Sequence, residues 1–393
     1  MSGFEWKLLW RQRLFRFKLL TIVMLTCGLF FVMIEDLSER ELAIIESNQL
    51  SQDYYLASAN QMMQTYGENN KDVQMMIQLA SLAEDQSQAL QRKDYRAFVQ
   101  KRYKFLQAHQ QAIEELNWAQ SNVLDNFAFE AATTDKVEAL GLELYQATAH
   151  SLEQLLAQDT ISQPEALGKH TTMMVRSLFL GESPQFINFW LAVFLVTLFL
   201  VSQTCLEGRK NHQSFTEIIP QSKAVHTIAT TVSNAVVVTI FQILLLILVL
   251  ISYTFVYSFG HLSVTIRRFG SSGFMSLIVV IALCLAMLWG LNMLITALTA
   301  LFNQLFNNQV LTLFVVVLFI CFIPMVNTLE VDASWFQYNP FSYVEIGHVV
   351  WGVQHYFFTE GSFSLKEFWW SIVFTVTAIY GMLYGVAYFK QRN

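Results

Sequence analysis

Residues 231–255 read TVSNAVVVTIFQILLLILVLISYTF, 25 consecutive positions without an acidic or basic side chain. A helix of about 20 apolar residues crosses the hydrocarbon core of a bilayer, so this stretch is long enough to span. Working outward, four further runs have the same character: Phe186–Leu206, Phe274–Leu298, Val310–Val326 and Phe368–Phe389. Val310–Val326 is short and ends beside Pro324. A sixth run, Phe17–Ile34, lies near the N-terminus behind the basic segment Phe4–Arg16. Ile34-Glu35-Asp36-Leu37-Ser38-Glu39 follows it, with no small-x-small cleavage pattern, so it reads as an uncleaved anchor rather than a signal peptide.

Composition agrees. Hydrophobic residues make up 54% and charged residues 14% of the 393, against roughly 45–50% and about 25% for a soluble domain. The net charge of −6 conceals a split, because residues 35–183 hold 22 acidic and 11 basic side chains while the remainder is net positive. An acidic, polar segment is therefore inserted into a basic membrane body. Six spans put both termini on one side. Lys and Arg number ten on that side (five N-terminal, three in 207–223, two C-terminal), against Arg267, Arg268 and Lys366 on the other. The positive-inside rule then places both termini in the cytoplasm and the insert outside.

The insert has helical periodicity. Phe98, Arg102, Phe105, His109, Ile113, Leu116 and Gln120 recur at spacings of three and four within Tyr95–Val123. Similar stripes cross Leu42–Met63, Val73–Leu90 and Lys136–Leu156. The expected fold is an all-α polytopic membrane protein, six transmembrane helices plus a helical-bundle extracytoplasmic domain. Its parts are a cytoplasmic amphipathic helix at 1–16, span one at 17–34, the helical domain at 35–185, and spans two to six at 186–393. The last part includes a cytoplasmic loop at 207–223 and an outer hairpin at 327–367.

Little in the insert looks chemical. His109 reads as a core histidine satisfied by a neighbour rather than a ligand. The pairs Glu84-Asp85 and Glu114-Glu115 read as solvated helix faces. The basic cluster Arg92-Lys93, Arg96, Lys101-Arg102 and Lys104, interleaved with Tyr95, Phe98, Tyr103 and Phe105, is a candidate for anionic polymers or headgroups, weighed against a solvated face. Cys27, Cys205, Cys284 and Cys321 all lie in or beside apolar runs, so the domain has no disulfide framework. An extracytoplasmic domain without cysteines fits a bacterial, Gram-positive cell membrane. No metal-ligand spacing occurs.

Between Glu217 and Glu330 there is no Asp or Glu, and Lys and Arg occur only at 223, 267 and 268. Transporters driven by ion gradients keep ionisable groups at membrane depth, so this composition argues against one. Polar residues within spans are Gln203, Asn234, Gln242 and Asn292, which read as interhelical hydrogen-bond formers or, alternatively, as lining for a pathway. No G-x-x-x-x-G-K-[ST] loop is present, so this chain cradles no nucleotide itself.

One loop stands apart. Glu207-Gly208-Arg209-Lys210-Asn211-His212-Gln213-Ser214-Phe215-Thr216-Glu217-Ile218-Ile219-Pro220 lies between spans two and three, with Phe215, Ile218 and Ile219 on one side of a short amphipathic turn stopped by Pro220. This run resembles the coupling segment of type-2 ABC transporter permeases, which also sits between spans two and three. Family members commonly carry Glu-Lys-(Asp/Glu)-x-Gly-Thr where this chain has Glu207 to His212. The segment around Trp6, Trp10, Arg11 and Arg13 resembles the family's N-terminal elbow helix, and Asn339–Trp351 resembles its outer hairpin before the last span. The resemblance implies a half-transporter without catalytic or metal residues. It implies a second permease copy, identical or related, and a separate ATPase carrying ATP and Mg. It also implies outward movement of an amphipathic, peptide- or lipid-like substrate. A sodium-extruding branch of the family, which also has a long insertion, is the competing substrate class.

Two other classes remain on the sequence. A membrane receptor would share the anchor and helical domain, but its output domain has no place in an internal loop of about 17 residues. A membrane-embedded enzyme would use Glu330, Asp332, Glu345, His348 and His355, which lie close in sequence but follow no recognised spacing.

Overall fold

The computed structural model describes residues 36–116, 118, 138–172, 174–175, 190, 192–201, 223–260, 265–267, 273–306, 308–321, 334–352 and 363–392, with Leu20 and residues 22–24. The elbow segment 1–16, most of span one, the 207–222 part of the coupling loop and Gln203 lie outside these residues.

The insert begins with three helices, α1 Leu37–Tyr66, α2 Lys71–Gln91 and α3 Tyr95–Leu116. Side chains fix their starts by accepting orphan backbone N–H groups. Asp36 accepts from Ser38 N at 2.9 Å, Asn70 from Asp72 N at 2.8 Å, and Asp94 from Ala97 N at 2.9 Å. The Ser38 hydroxyl and amide hold the Asp36 carboxyl below its ordinary pKa. Helix α1 stops at Gly67, whose φ of 82° suits glycine. The α2–α3 turn places Lys93 at φ 58°. Helix α4, Glu138–Leu156, and the short α5, Gln163–Ala166, follow among the described residues.

Neighbouring helices run antiparallel, as residue pairings along them show. Gln52 on α1 meets Glu84 on α2, while Ile44 packs beside Leu90 at the other end. Lys101 on α3 pairs with Asp85, and Trp118 donates to Asp72 at 2.7 Å beyond the far end of α3. Arg96 at the start of α3 donates to the carbonyls of Leu156, Gln158 and Asp159 at the end of α4. Val73, Leu79, Ala83, Leu90, Val99, Leu106 and Ala112 are fully buried between the helices. The stripes at Leu42–Met63, Val73–Leu90 and Lys136–Leu156 thus match α1, α2 and α4. Tyr95–Val123 matches α3 as far as Leu116. Arg96→Ala is expected to fray the end of α4, costing about 1 kcal/mol, read as faster amide exchange at residues 157–159.

In the second half, α6 Ala192–Val201 is a short apolar helix, followed by α7 Lys223–Val256, β1 Thr265–Arg267, β2 Phe274–Ser276, α8 Leu277–Phe306 and α9 Gln309–Ile320. Helices α10 Ile346–Trp351 and α11 Leu365–Arg392 follow two 3-10 turns at Ser334–Tyr338 and Pro340–Tyr343. Among the described residues three helices are long and apolar enough to cross a membrane: Val225–Val256, Leu277–Phe306 and Leu365–Phe389. This is a helical membrane protein. Half of the apolar window of α8 is buried inside the protein, against 22% for α7 and α11. So α8 is the central helix, with α7, α9, α10 and α11 packed on it.

Two expected boundaries change. Phe274 does not open a helix. It pairs with Arg267 in an antiparallel hairpin, and α8 begins three residues later. The fifth run is shorter than expected, because α9 ends at Ile320 with Cys321 as its C-cap. Its 12 residues span about 18 Å at 1.5 Å per residue, short of a bilayer core. Asn308 caps its start, accepting from Val310 N at 3.0 Å and Leu311 N at 3.3 Å.

Candidate functional site

Of the polar residues flagged within spans, Asn234, Gln242 and Asn292 fall in one half of the helix bundle, and Gln203 lies outside the described residues. On α7, Thr231, Asn234, Thr239 and Gln242 are buried on one face, at the helical spacings of three, five and three. On α8 the buried polar residues are Asn292, Thr296, Thr299, Asn303 and Gln304. The polar half is the first half of α7 and the second half of α8. It is therefore the half in which α7 begins, at Lys223, and α8 ends, at Phe306. Beyond it, Ile243–Ile251 of α7 and Leu277–Leu291 of α8 are aliphatic apart from Cys284, Met287, Trp289 and Gly290, and α7 then closes on Ser252-Tyr253-Thr254-Phe255-Val256.

At the boundary between the halves, side chains from three helices meet. Asn292 donates from Nδ2 to Gln242 Oε1 at 2.7 Å and to Thr239 Oγ1 at 2.9 Å. Its Oδ1 accepts from Thr197 Oγ1 of α6 at 3.0 Å. Gln242 donates to Val193 O at 3.2 Å and also to Thr197 Oγ1. One amide of α8, one amide of α7 and a hydroxyl of α6 thus satisfy one another, with Thr239 as a fourth member. The threonines also return hydrogen bonds to their own helices: Thr239 to Ala235 O at 2.8 Å, Thr299 to Ile295 O at 2.7 Å, and Thr231 to Thr227 O at 2.7 Å. A desolvated polar group without a partner is costly, and the members of this cluster have partners.

The chemistry available here is hydrogen bonding alone. The cluster holds no carboxylate, imidazole, thiol or amine. The arrangement staples α6, α7 and α8 into one unit. Of the flagged residues, Gln242 and Asn292 are brought together. Asn234 lies two turns from Gln242 on the same buried face. Thr197 and Thr239 were not singled out in sequence, because a threonine in an apolar helix ordinarily bonds its own backbone. The signal that identifies them is that each sits on the face opposite the amide.

Other candidates resolve differently. His109 is buried, with Nε2 2.7 Å from Tyr55 Oη and its ring 4.8 Å from that of Phe105. The basic cluster of α3 is partly structural. Arg96 caps α4, Lys101 pairs with Asp85, and Arg102 is buried beside Gln86. Arg92, Lys93, Arg96 and Lys104 of that cluster are exposed. Of the five outer residues weighed as enzymatic, Glu345 and His348 pair at 2.8 Å, while Glu330, Asp332 and His355 lie outside the described residues. Among the described residues no group of three or more His, Cys, Asp or Glu is placed to hold a metal ion. Trp6, Trp10, Arg11, Arg13, Glu207, Gly208, Arg209, Phe215, Glu217, Ile218, Ile219 and Pro220 also lie outside the described residues. Comparisons with family models, curated proteins and solved structures return no match for this chain.

Proposed function

We propose that this chain is the membrane subunit of an ATP-driven ABC exporter, working with a separate ATPase and a second permease copy. The cargo class is an amphipathic peptide- or lipid-like molecule. The observation that carries the reading is the Glu207–Pro220 segment, which precedes the first turn of α7 in the sequence. An amphipathic lever between two spans is what an external motor needs. The spans add support by what they lack: no acidic residue lies between Glu217 and Glu330, so a coupling ion has no carboxylate there. The stapled α6–α7–α8 unit adds a second support, since a push on the segment joining α6 and α7 then moves a rigid block.

The test is co-expression with the products of the neighbouring genes, followed by purification and measurement of ATP hydrolysis. The parent chain is expected to retain the ATPase on the column. Ile218→Asp is expected to lower both retention and hydrolysis at least tenfold without changing the amount of chain in the membrane. Retention unaffected by Ile218→Asp, or no ATPase retained at all, removes the reading. Sodium efflux from loaded vesicles separates the sodium-extruding branch from the amphipathic-cargo branch.

A further inference from the structure

The inserted domain is fastened to the membrane helices at two places, and both lie on the connection between α7 and α8. At the first, Thr171 N donates to Ser258 O at 2.9 Å and Thr172 N to Phe259 O at 3.2 Å. The hydroxyls of Thr171 and Thr254 lie 2.8 Å apart, and the Thr172 hydroxyl donates to Phe259 O at 2.9 Å. Gly260 passes directly beneath, with φ 73°. A Cβ on it would collide with Thr172 Oγ1 and with the His170 ring. A glycine is what permits so close a backbone crossing.

The second fastening is at β1. His150 Nε2 lies 2.9 Å from the Thr265 hydroxyl, and Thr265 N donates to Gln154 Oε1 at 3.2 Å. The His150 ring sits 4.2 Å from that of Phe274 on the paired strand. Two separated attachments prevent the domain from pivoting about either one. The connection they grip, residues 257–276, leads out of α7 and into α8. Those two helices are already joined to each other and to α6 through Asn292, Gln242, Thr239 and Thr197.

We propose that the inserted domain is the output arm of α7. It moves as one body with the α7–α8 hairpin, so displacement entering at the Lys223 end emerges as movement of the domain. Helix α7 has 34 residues, about 51 Å at 1.5 Å per residue, and runs from the coupling segment to Thr254 without an intervening joint. The arm's drive rests on the ABC reading of residues 207–220; the clasp itself does not. The domain is on this account a mechanical element, unlike a cargo receiver swinging on a loose stalk.

The closing experiment uses Thr171→Cys with Thr254→Cys in the full chain. Their hydroxyls are close enough for cysteines there to approach disulfide geometry. Mild oxidation in native membranes is expected to form this bridge in near-complete yield, identified by peptide mass. Stimulated ATP hydrolysis is expected to be the same within twofold with the bridge closed or reduced, because the clasp does not open during turnover. Gly260→Val is expected to slow bridging at least tenfold and to abolish export while hydrolysis continues. Thr265→Val, a milder change at the second fastening, is expected to reduce export in the same direction and guards against a Gly260→Val chain that fails to fold. Loss of hydrolysis on bridging, or export untouched by both Gly260→Val and Thr265→Val, overturns the arm. A parent chain that stimulates no ATPase defeats the ABC reading instead. The arm is then judged on bridging alone, where equal rates in the parent and Gly260→Val overturn it and a tenfold difference supports it.

Discussion

Gly290→Leu is expected to wedge α8 from α11 and to lower stability by roughly 2–3 kcal/mol, the upper range for overpacking a filled core. A Cβ at Gly290 would lie 3.3 Å from Phe368 Cζ, 3.5 Å from Trp369 Cζ3 and 3.6 Å from Ile372 Cγ2. Alanine there requires Phe368 to yield by a few tenths of an ångström, so Gly290→Ala is expected to cost under about 1 kcal/mol. Leucine adds three more carbons to a space already occupied by Phe368, which is fully buried and packs edge-on against Tyr343 at 5.4 Å and Trp369 at 5.0 Å. Phe368→Ala alone is expected to cost roughly 3–5 kcal/mol by leaving a cavity. Combined with Gly290→Leu it is expected to cost less than the sum of the two singles, since the leucine fills what the phenyl ring vacates. Thermal unfolding in detergent reads all four chains. Equal melting temperatures for Gly290→Ala and Gly290→Leu would show that the two helices are not in contact here.

The second large effect is expected at Asn292. Leucine has the same branched skeleton of heavy atoms but no hydrogen-bonding groups, so Asn292→Leu strips Gln242 Oε1 of its 2.7 Å donor and Thr197 of one acceptor. Thr197 and Thr239 keep their bonds to Val193 O and Ala235 O; Gln242 Oε1 has no such fallback among these contacts. The expected cost is about 2 kcal/mol, that of leaving one buried polar group unsatisfied. Interhelical hydrogen bonds in membranes average well below this, near 0.6 kcal/mol. An effect of about 2 kcal/mol therefore distinguishes a cooperative cluster from a single bond. Gln242→Leu made together with Asn292→Leu removes both amides and is expected to restore much of the loss. If the double variant is instead less stable than either single one, the amides act independently and the staple does not exist as a unit.

The two variants bear on what could be read from the sequence. The inserted helices were legible because of their periodicity: Phe98, Phe105 and His109, on one stripe in the sequence, fall on the buried face of α3. The apolar helices were legible from hydropathy, but hydropathy cannot separate Phe274–Ser276 from the helix it adjoins. A three-residue strand beside an apolar helix looks the same as one more turn of that helix. It also overran the end of α9, since Phe322 to Val326 continue the apolar run after the helix has stopped at Ile320. Gln242 and Asn292 announced themselves as amides in apolar surroundings. Thr197, 45 positions before Gln242, did not, because its role depends on which helices become neighbours. The clasp was invisible for the same reason. His150, Gln154, Thr171 and Thr172 are ordinary members of a polar sequence, and Gly260 is one glycine of 16.

The clasp also sets an order of events during synthesis. Helices α1, α2 and α3 pair with their neighbours in the chain, so they can form hairpins as soon as residues up to about 118 have emerged. Such local pairing is fast. Thr171 and His150 must wait, because their partners lie 83 to 115 positions further on. A nascent chain therefore carries a formed bundle with an open underside until α7 and the β1–β2 hairpin have been delivered. Seating the bundle on that hairpin is then the event that records successful insertion of α7.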